Sequence, residues 1–294
     1  MAQHKYTNER NLLIILALLK EHGIKRVVAS PGSCNHTLVK SMQDDEWFEM
    51  YSSIDERSAA YMACGLASES GSPVVVTCTE ATASRNFMPG LTEAYYRKLP
   101  VLAIATTHGT EQVGQLVAQT IDQSVLPKDV CVYQTFVPSI NTEAQEHKAV
   151  RDVNEAILAL WHHGGGPVYL CAQSLASRVY VGSLPKVRVI KRYTYEDLMS
   201  SDAHVELPKG RIGIFVGSHK IWTDGETKAV ERFCEQHNAV VFCDHTSNYI
   251  GKYKVLFSLV GGTDDVCIKL DEVAFVDTYR RGEWGLFFIR RWEQ

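Results

Sequence analysis

Apolar positions along this chain alternate between two periods. In residues 8–22, Leu12, Leu13, Ile15, Leu16, Leu18 and Leu19 recur at helical spacing and Gly23 supplies a stop. Residues 26–30 form a short apolar run, Pro31-Gly32-Ser33 turns, and a short helix is predicted through Met42. A strand is expected over 47–54, then a helix carrying Ala59, Ala60, Ala63, Leu66 and Ala67, ended by Gly71. The run 73–78 reads as a strand, Thr79-Glu80-Ala81-Thr82 as a turn into a helix through Tyr96, and 100–106 as another strand. A strand over 134–140, a helix over 142–162 and a strand over 167–171 complete a first unit. Continuous Val/Ile-rich strands between helices predict an α/β fold, a doubly wound parallel sheet covered on both faces.

Residues 173–205 carry few apolar runs and read as a linker between a domain over 1–172 and a second α/β domain over 206–294. The second domain shows a strand over 211–216, a helix over 228–237 and a strand over 239–243. Gly217-Ser218 after its first strand suits a plain turn better than a phosphate loop, because the full dinucleotide fingerprint is missing.

Composition narrows the function classes. With 294 residues, a net charge of −4 and no Lys/Arg stripe before the last dozen residues, the chain has no nucleic-acid footprint. No apolar run is long enough to span a membrane, and no secretory leader is visible, so no membrane partner is expected. Eight cysteines are scattered without a C-x-x-C pair or a zinc-finger spacing, which fits reduced thiols in a cytoplasmic protein and assigns no metal ligand.

In a parallel sheet every strand ends at the same edge. Four loops therefore converge there: Ser30-Pro31-Gly32-Ser33, Asp55-Glu56, Thr79-Glu80-Ala81-Thr82 and Thr107-His108-Gly109. Gly, hydroxyls and a carboxylate at one edge suit a small, partly apolar ligand, although Pro-Gly and Ser/Thr are also ordinary turn residues. Glu56 has two readings. Ser53-x-x-Glu56 fits a capping box, and a glutamate at the carboxyl end of a strand fits a ligand carboxylate.

Six ordered blocks then carry a resemblance. They are Val28-Ala29-Ser30-Pro31-Gly32-Ser33-Cys34-Asn35, Asp55-Glu56-Arg57-Ser58-Ala59-Ala60, Gly71-x-Pro73-Val74, Cys78-Thr79 with Ala83 and Asn86, Pro89 with Glu93-Ala94, and Gln119-Thr120-Ile121-Asp122-Gln123. Over residues 8–172 they resemble the pyrimidine-binding domain of thiamine-diphosphate-dependent enzymes, nearest to the menaquinone-pathway synthase branch. The second unit is similar in placement to that family's central domain, here truncated. The resemblance implies 2-oxo acid decarboxylation and carboligation. It gives Glu56 the catalytic role of bonding the cofactor's aminopyrimidine, which can coexist with capping. It places Ser30, Pro31, Gly32, Cys78, Thr79 and Asn86 on the cofactor and Ser33, Cys34, Glu80, His108 and Gln119 on the substrate.

Departures from the family pattern shape the rest. Cys34 and His108 stand where the synthase branch has arginines that clamp carboxylates, and Glu80-Ala81-Thr82 replaces Ser-Gly-Thr, so a different 2-oxo acid is expected. No Gly-Asp-Gly run is present, and Thr223-Asp224-Gly225 is a poor substitute. The diphosphate and its Mg²⁺ are then expected on a missing domain, a partner subunit or a second copy of the chain, with only the pyrimidine end of thiamine diphosphate held here. Past Gly262 the likeness stops in an atypical basic, aromatic tail. A non-catalytic small-molecule or subunit-binding protein built on the same domain is the alternative.

Overall fold

A computed structural model describes residues 5–193, 211–256, 272–278 and 284–290. The chain divides into two compact units, Met1–Val187 and Arg188–Gln294.

The first unit is built on six strands: β2 (Arg26–Ala29), β3 (Glu49–Ser52), β4 (Val74–Cys78), β5 (Val101–Thr107), β6 (Tyr133–Val137) and β7 (Val168–Gln173). They lie in the order β3-β2-β4-β5-β7-β6, every neighbouring pair parallel. A small antiparallel pair, β1 (Tyr6–Thr7) with β8 (Tyr180–Val181), lies outside this sheet. The strands β4 and β5 read Val-Val-Val-Thr-Cys and Val-Leu-Ala-Ile-Ala-Thr-Thr, fully buried from end to end. Burial on both faces removes the need for alternation, as the sequence pattern anticipates. From β2 the chain winds first to β3 and then back across to β4. The direction of winding therefore reverses between β2 and β4, the place where open α/β sheets form a crevice.

The helices are α1 (Arg10–Glu21), α2 (His36–Gln43), α3 (Glu56–Ser70), α4 (Thr82–Asn86), α5 (Met88–Arg97) and α6 (Glu143–Ala159). Helix α1 buries nine consecutive residues from Asn11 to Leu19, more than one amphipathic face. Helix α6 opens on a complete capping box between Thr142 and Gln145. The single helix expected up to Tyr96 is two, because Pro89 sits in the first turn of α5 and cannot continue a helix already running. Helices α3 and α5 pack at their backbones. A Cβ on Gly90 would lie 2.5 Å from that of Ala60, so only glycine permits the approach. Ala59, Ala60, Ala63 and Ala67 line the same seam and are fully buried.

The second unit has a mixed sheet in the order β12-β11-β10-β13-β14-β9. Its strands are β9 (Ile190–Tyr193), β10 (Ile212–Val216), β11 (Ala239–Cys243), β12 (Lys254–Leu256), β13 (Glu272–Thr278) and β14 (Trp284–Arg290). Strands β10 to β13 are parallel, whereas β14 pairs antiparallel with both β13 and β9. The atypical tail thus supplies two strands of this sheet, and β9 comes from the stretch that reads as a linker. Helix α7 (Asp224–His237) begins at Thr223, whose side chain and that of Glu226 close a capping box. Thr223-Asp224-Gly225 is accordingly a helix start. Ser218 Oγ bonds Thr246 Oγ1 at 2.9 Å, which keeps the Gly217-Ser218 turn in the hydrogen-bonding of its own unit.

Candidate functional site

The carboxyl edge of the first sheet gathers the loops that the sequence pattern points to. The loop after β2 is fixed by Asn35, which is fully buried. Its Oδ1 accepts from Gly32 N at 2.7 Å and its Nδ2 donates to Ser30 O at 3.0 Å. Thr79 follows β4 and lies directly beneath this loop. A Cβ on Gly32 would come within 2.7 Å of the Thr79 side chain, and Thr79 Oγ1 accepts from Cys34 N at 3.3 Å. Ser30 Oγ is buried in the same corner with no hydrogen-bond partner among the described residues.

Glu56 is the first residue of α3, half-buried at this edge. The cap differs from the one the sequence suggests. Asp55 is the N-cap and its Oδ2 accepts from Ser58 N at 2.7 Å, while Ser53 Oγ donates back to Asp55 O at 3.0 Å. Ser53 therefore makes no capping box with Glu56. The Ser58 hydrogen bond holds the Asp55 carboxyl below its ordinary range. With the cap already made, the Glu56 carboxylate has no hydrogen-bond partner among the described residues. Its location at the start of α3 still gains from the helix dipole.

Cys78 sits beneath this edge and is fully buried in the core that also holds Val28, Ala59 and Ala105. Burial pushes its thiol far up, and the Glu56 and Cys171 charges add to that. The enclosed side chain reaches no open surface at this edge. It lies behind the edge because side chains alternate along β4. Asn86 is exposed at the end of α4, and Gln119 lies in an exposed loop with φ of 61°. Neither is bonded to the residues above. Gln123, four residues further on, has a structural role instead. It is buried and accepts a hydrogen bond from the Tyr169 hydroxyl. Pro31 and Ser33 are exposed on the loop surface. A shallow cleft of about 300 Å³ on the α2 and β3 side, bordered by Lys40, Met50 and Ser52, shares only Pro31 with the predicted residues.

Cys34, Glu80 and His108 come together. Cys34 Sγ lies 3.4 Å from Glu80 Oε1 and 3.7 Å from His108 Nε2, and these last two atoms are 3.2 Å apart. Glu80 Oε2 accepts from Thr107 Oγ1 at 2.5 Å and from His108 N at 3.1 Å. Glu80 is 1% exposed, whereas the His108 side chain is 37% exposed. Burial raises the Cys34 thiol, an effect that the Thr79 contact opposes and the Glu80 charge reinforces.

This arrangement coincides with a recognisable family. Residues 13–126 match the pattern described as "Thiamine pyrophosphate enzyme, N-terminal TPP binding domain". Over these residues the N-terminal unit is similar to thiamine-pyrophosphate enzymes. Among its relatives, the 2-succinyl-5-enolpyruvyl-6-hydroxy-3-cyclohexene-1-carboxylate synthase of Bacteroides thetaiotaomicron is 40% identical over 191 residues, which are 64% of this chain and 34% of that protein. The synthase of Porphyromonas gingivalis is 34% identical over 166 residues, 56% of this chain and 29% of the relative. That of Desulfotalea psychrophila is 28% identical over 270 residues, 86% of this chain and 48% of the relative. The chain thus spans between 29% and 48% of the length of these synthases. The matched residues span β2 to β5 of the parallel sheet and include Glu56 at the start of α3. Among the described residues, no helix is long and apolar enough to cross a membrane.

Glu9 is a residue the sequence pattern gives no reason to single out. It is 7% exposed and precedes α1. Its oxygens accept from Leu175 N at 2.7 Å, Ser177 N at 3.0 Å, Ser174 Oγ at 3.3 Å and Thr37 Oγ1 at 3.4 Å. It fastens the segment after β7 to the start of the chain.

Proposed function

We propose that this chain supplies the pyrimidine-binding half of a thiamine-diphosphate-dependent site acting on a 2-oxo acid. The observation that carries the reading is Glu56: a carboxylate at a helix start on the switch-point edge, freed from capping by Asp55. The residues present fit the aminopyrimidine end of the cofactor. An unpartnered carboxylate can bond a ring nitrogen, and the orphaned Ser30 Oγ offers one more polar contact. When bound, thiamine diphosphate supplies a carbanion for cleaving and joining bonds next to a carbonyl. This chain's part is to orient the pyrimidine and to hold or release a proton at the Glu56 carboxylate. Half-burial at a helix start lets that carboxylate meet both ligand and solvent.

The diphosphate and Mg²⁺ are held from outside the described residues, by a partner subunit, a second copy or another segment. Exposed apolar side chains beside Glu56 support completion by another protein surface: Ile54 is 93% exposed, Tyr61 45% and Met62 39%. On the substrate side, Cys34 and His108 lack the planar bidentate donors that grip a dicarboxylate, so the 2-oxo acid differs from that of the named synthases. Calorimetric titration with thiamine diphosphate tests the reading. The wild-type chain should bind it weakly without needing Mg²⁺, and Glu56→Gln should remove that binding. Equal binding by the two proteins would overturn it.

A further inference from the structure

Three ligating atoms of different chemistry meet at one point of the carboxyl edge, and binding of the pyrimidine through Glu56 uses none of them. We propose that Cys34 Sγ, Glu80 Oε1 and His108 Nε2 form a three-ligand site for a divalent cation of the zinc class, with a fourth position open to an oxygen ligand.

The geometry carries the proposal. Bond lengths of about 2.3 Å to sulfur and about 2.0–2.1 Å to nitrogen and oxygen place tetrahedral ligands about 3.3–3.6 Å from one another. The observed separations are 3.4, 3.7 and 3.2 Å, so a cation fits at the centre with shifts of a few tenths of an ångström. The three residues come from the loops after β2, β4 and β5, so no single turn explains their meeting. A mixed S, N, O set suits a borderline-soft ion and excludes Mg²⁺, which prefers oxygen alone.

The surroundings orient the ligands. Thr107 Oγ1 and His108 N both donate to Glu80 Oε2, which turns Oε1 toward the thiol and the imidazole. Carboxylates that ligate metals are held from behind in this way. Ala81, the next residue, adopts φ 62° and ψ −135°, a backbone region that glycine alone occupies readily. Strain of this kind persists where the surroundings impose it, and here it sits beside a ligand. Cation binding would release the Cys34 thiol proton to solvent and take up the Nε2 lone pair of His108. A thiol–imidazole nucleophile is a poorer account. The carboxylate contacts the same Nε2 that faces the thiol, so it cannot orient the ring from the far side as a relay requires. Burial also works against the thiolate, which a nucleophile needs and which a cation would stabilise.

The three ligands are distinct from Glu56, so the cation site stands or falls separately from cofactor binding. The test is titration of the chelator-treated full chain with Co²⁺ alone. One equivalent should give visible absorption of tetrahedral intensity and a near-ultraviolet thiolate-to-cobalt band, both abolished by stoichiometric Zn²⁺. Cys34→Ser should lose the near-ultraviolet band. His108→Asn, at a half-exposed position that should not disturb folding, should weaken binding by more than about 100-fold. No tetrahedral cobalt spectrum in the wild type would overturn the proposal. So would a thiolate band that persists in Cys34→Ser, since it would come from another of the cysteines.

Discussion

Glu9 and Glu80 are both buried carboxylates of the N-terminal unit, and they do different things. Glu9 meets four donors, two of them backbone N–H groups, and both of its oxygens are satisfied. Glu80 has one oxygen satisfied by Thr107 and His108 N, and the other faces a thiol and an imidazole that could equally face a cation. A buried acceptor surrounded by donors ties segments together. A buried acceptor with one oxygen directed at other ligands is arranged for something else. Burial alone, then, does not mark function. What separates the two is the chemistry of the partners: hydroxyls and backbone N–H groups around Glu9, and beside Glu80 Oε1 a thiol and an imidazole, which can also ligate a cation.

The same isosteric change should therefore give different results at the two positions. Glu9→Gln sets an amide NH₂ against N–H donors and should cost about 2–3 kcal/mol, read as a loss of unfolding free energy in urea. Gly90→Ala probes the seam that positions α3, and with it Glu56. The added methyl group meets Ala60 and should cost about 2 kcal/mol while also displacing the start of α3. Asp55→Ala removes the cap of the same helix and should lower the melting temperature at neutral pH. Because the folded Asp55 carboxyl is held low, its contribution is present above its ordinary range and lost as pH falls through the lowered value. The gap in melting temperature between wild type and Asp55→Ala should therefore close below about pH 4. Ala81→Gly relieves a backbone conformation unsuited to alanine and should stabilise by up to about 1 kcal/mol. At Glu80, Gln keeps one oxygen for Thr107 and His108 N and offers NH₂ to sulfur and ring nitrogen. Metal-free Glu80→Gln should fall within about 0.5 kcal/mol of wild type. Equal costs at Glu9 and Glu80 would erase the distinction.

Much of the N-terminal unit is legible in the chain. Runs such as Val74-Val75-Val76 leave no polar face, so a parallel, doubly covered sheet is the economical reading, and the loops of one edge follow from it. Glu56, Cys34, Glu80 and His108 all stand out by their loop positions. Their convergence does not, because separations of 46 and 28 residues along the chain say nothing about the few ångströms between the side chains. The Asp55 cap is hidden because Ser53 and Glu56 imitate a capping box at the same spacing. Glu9 is hidden for another reason: its donor Leu175 N lies 166 residues away, in a segment with no periodic pattern. In the second unit, β13 and β14 fall in a stretch whose basic and aromatic residues suggest a tail, and only pairing along a mixed sheet reveals them as strands.

The central claim is that this chain holds the pyrimidine end of thiamine diphosphate through Glu56. Saturation-transfer NMR on the cofactor, mixed with the full chain, tests it ring by ring. The account predicts strong transfer to the aminopyrimidine protons, weak transfer to the thiazolium side chain, and loss of both in Glu56→Gln. Uniform transfer across the cofactor, or transfer undiminished in Glu56→Gln, would contradict it.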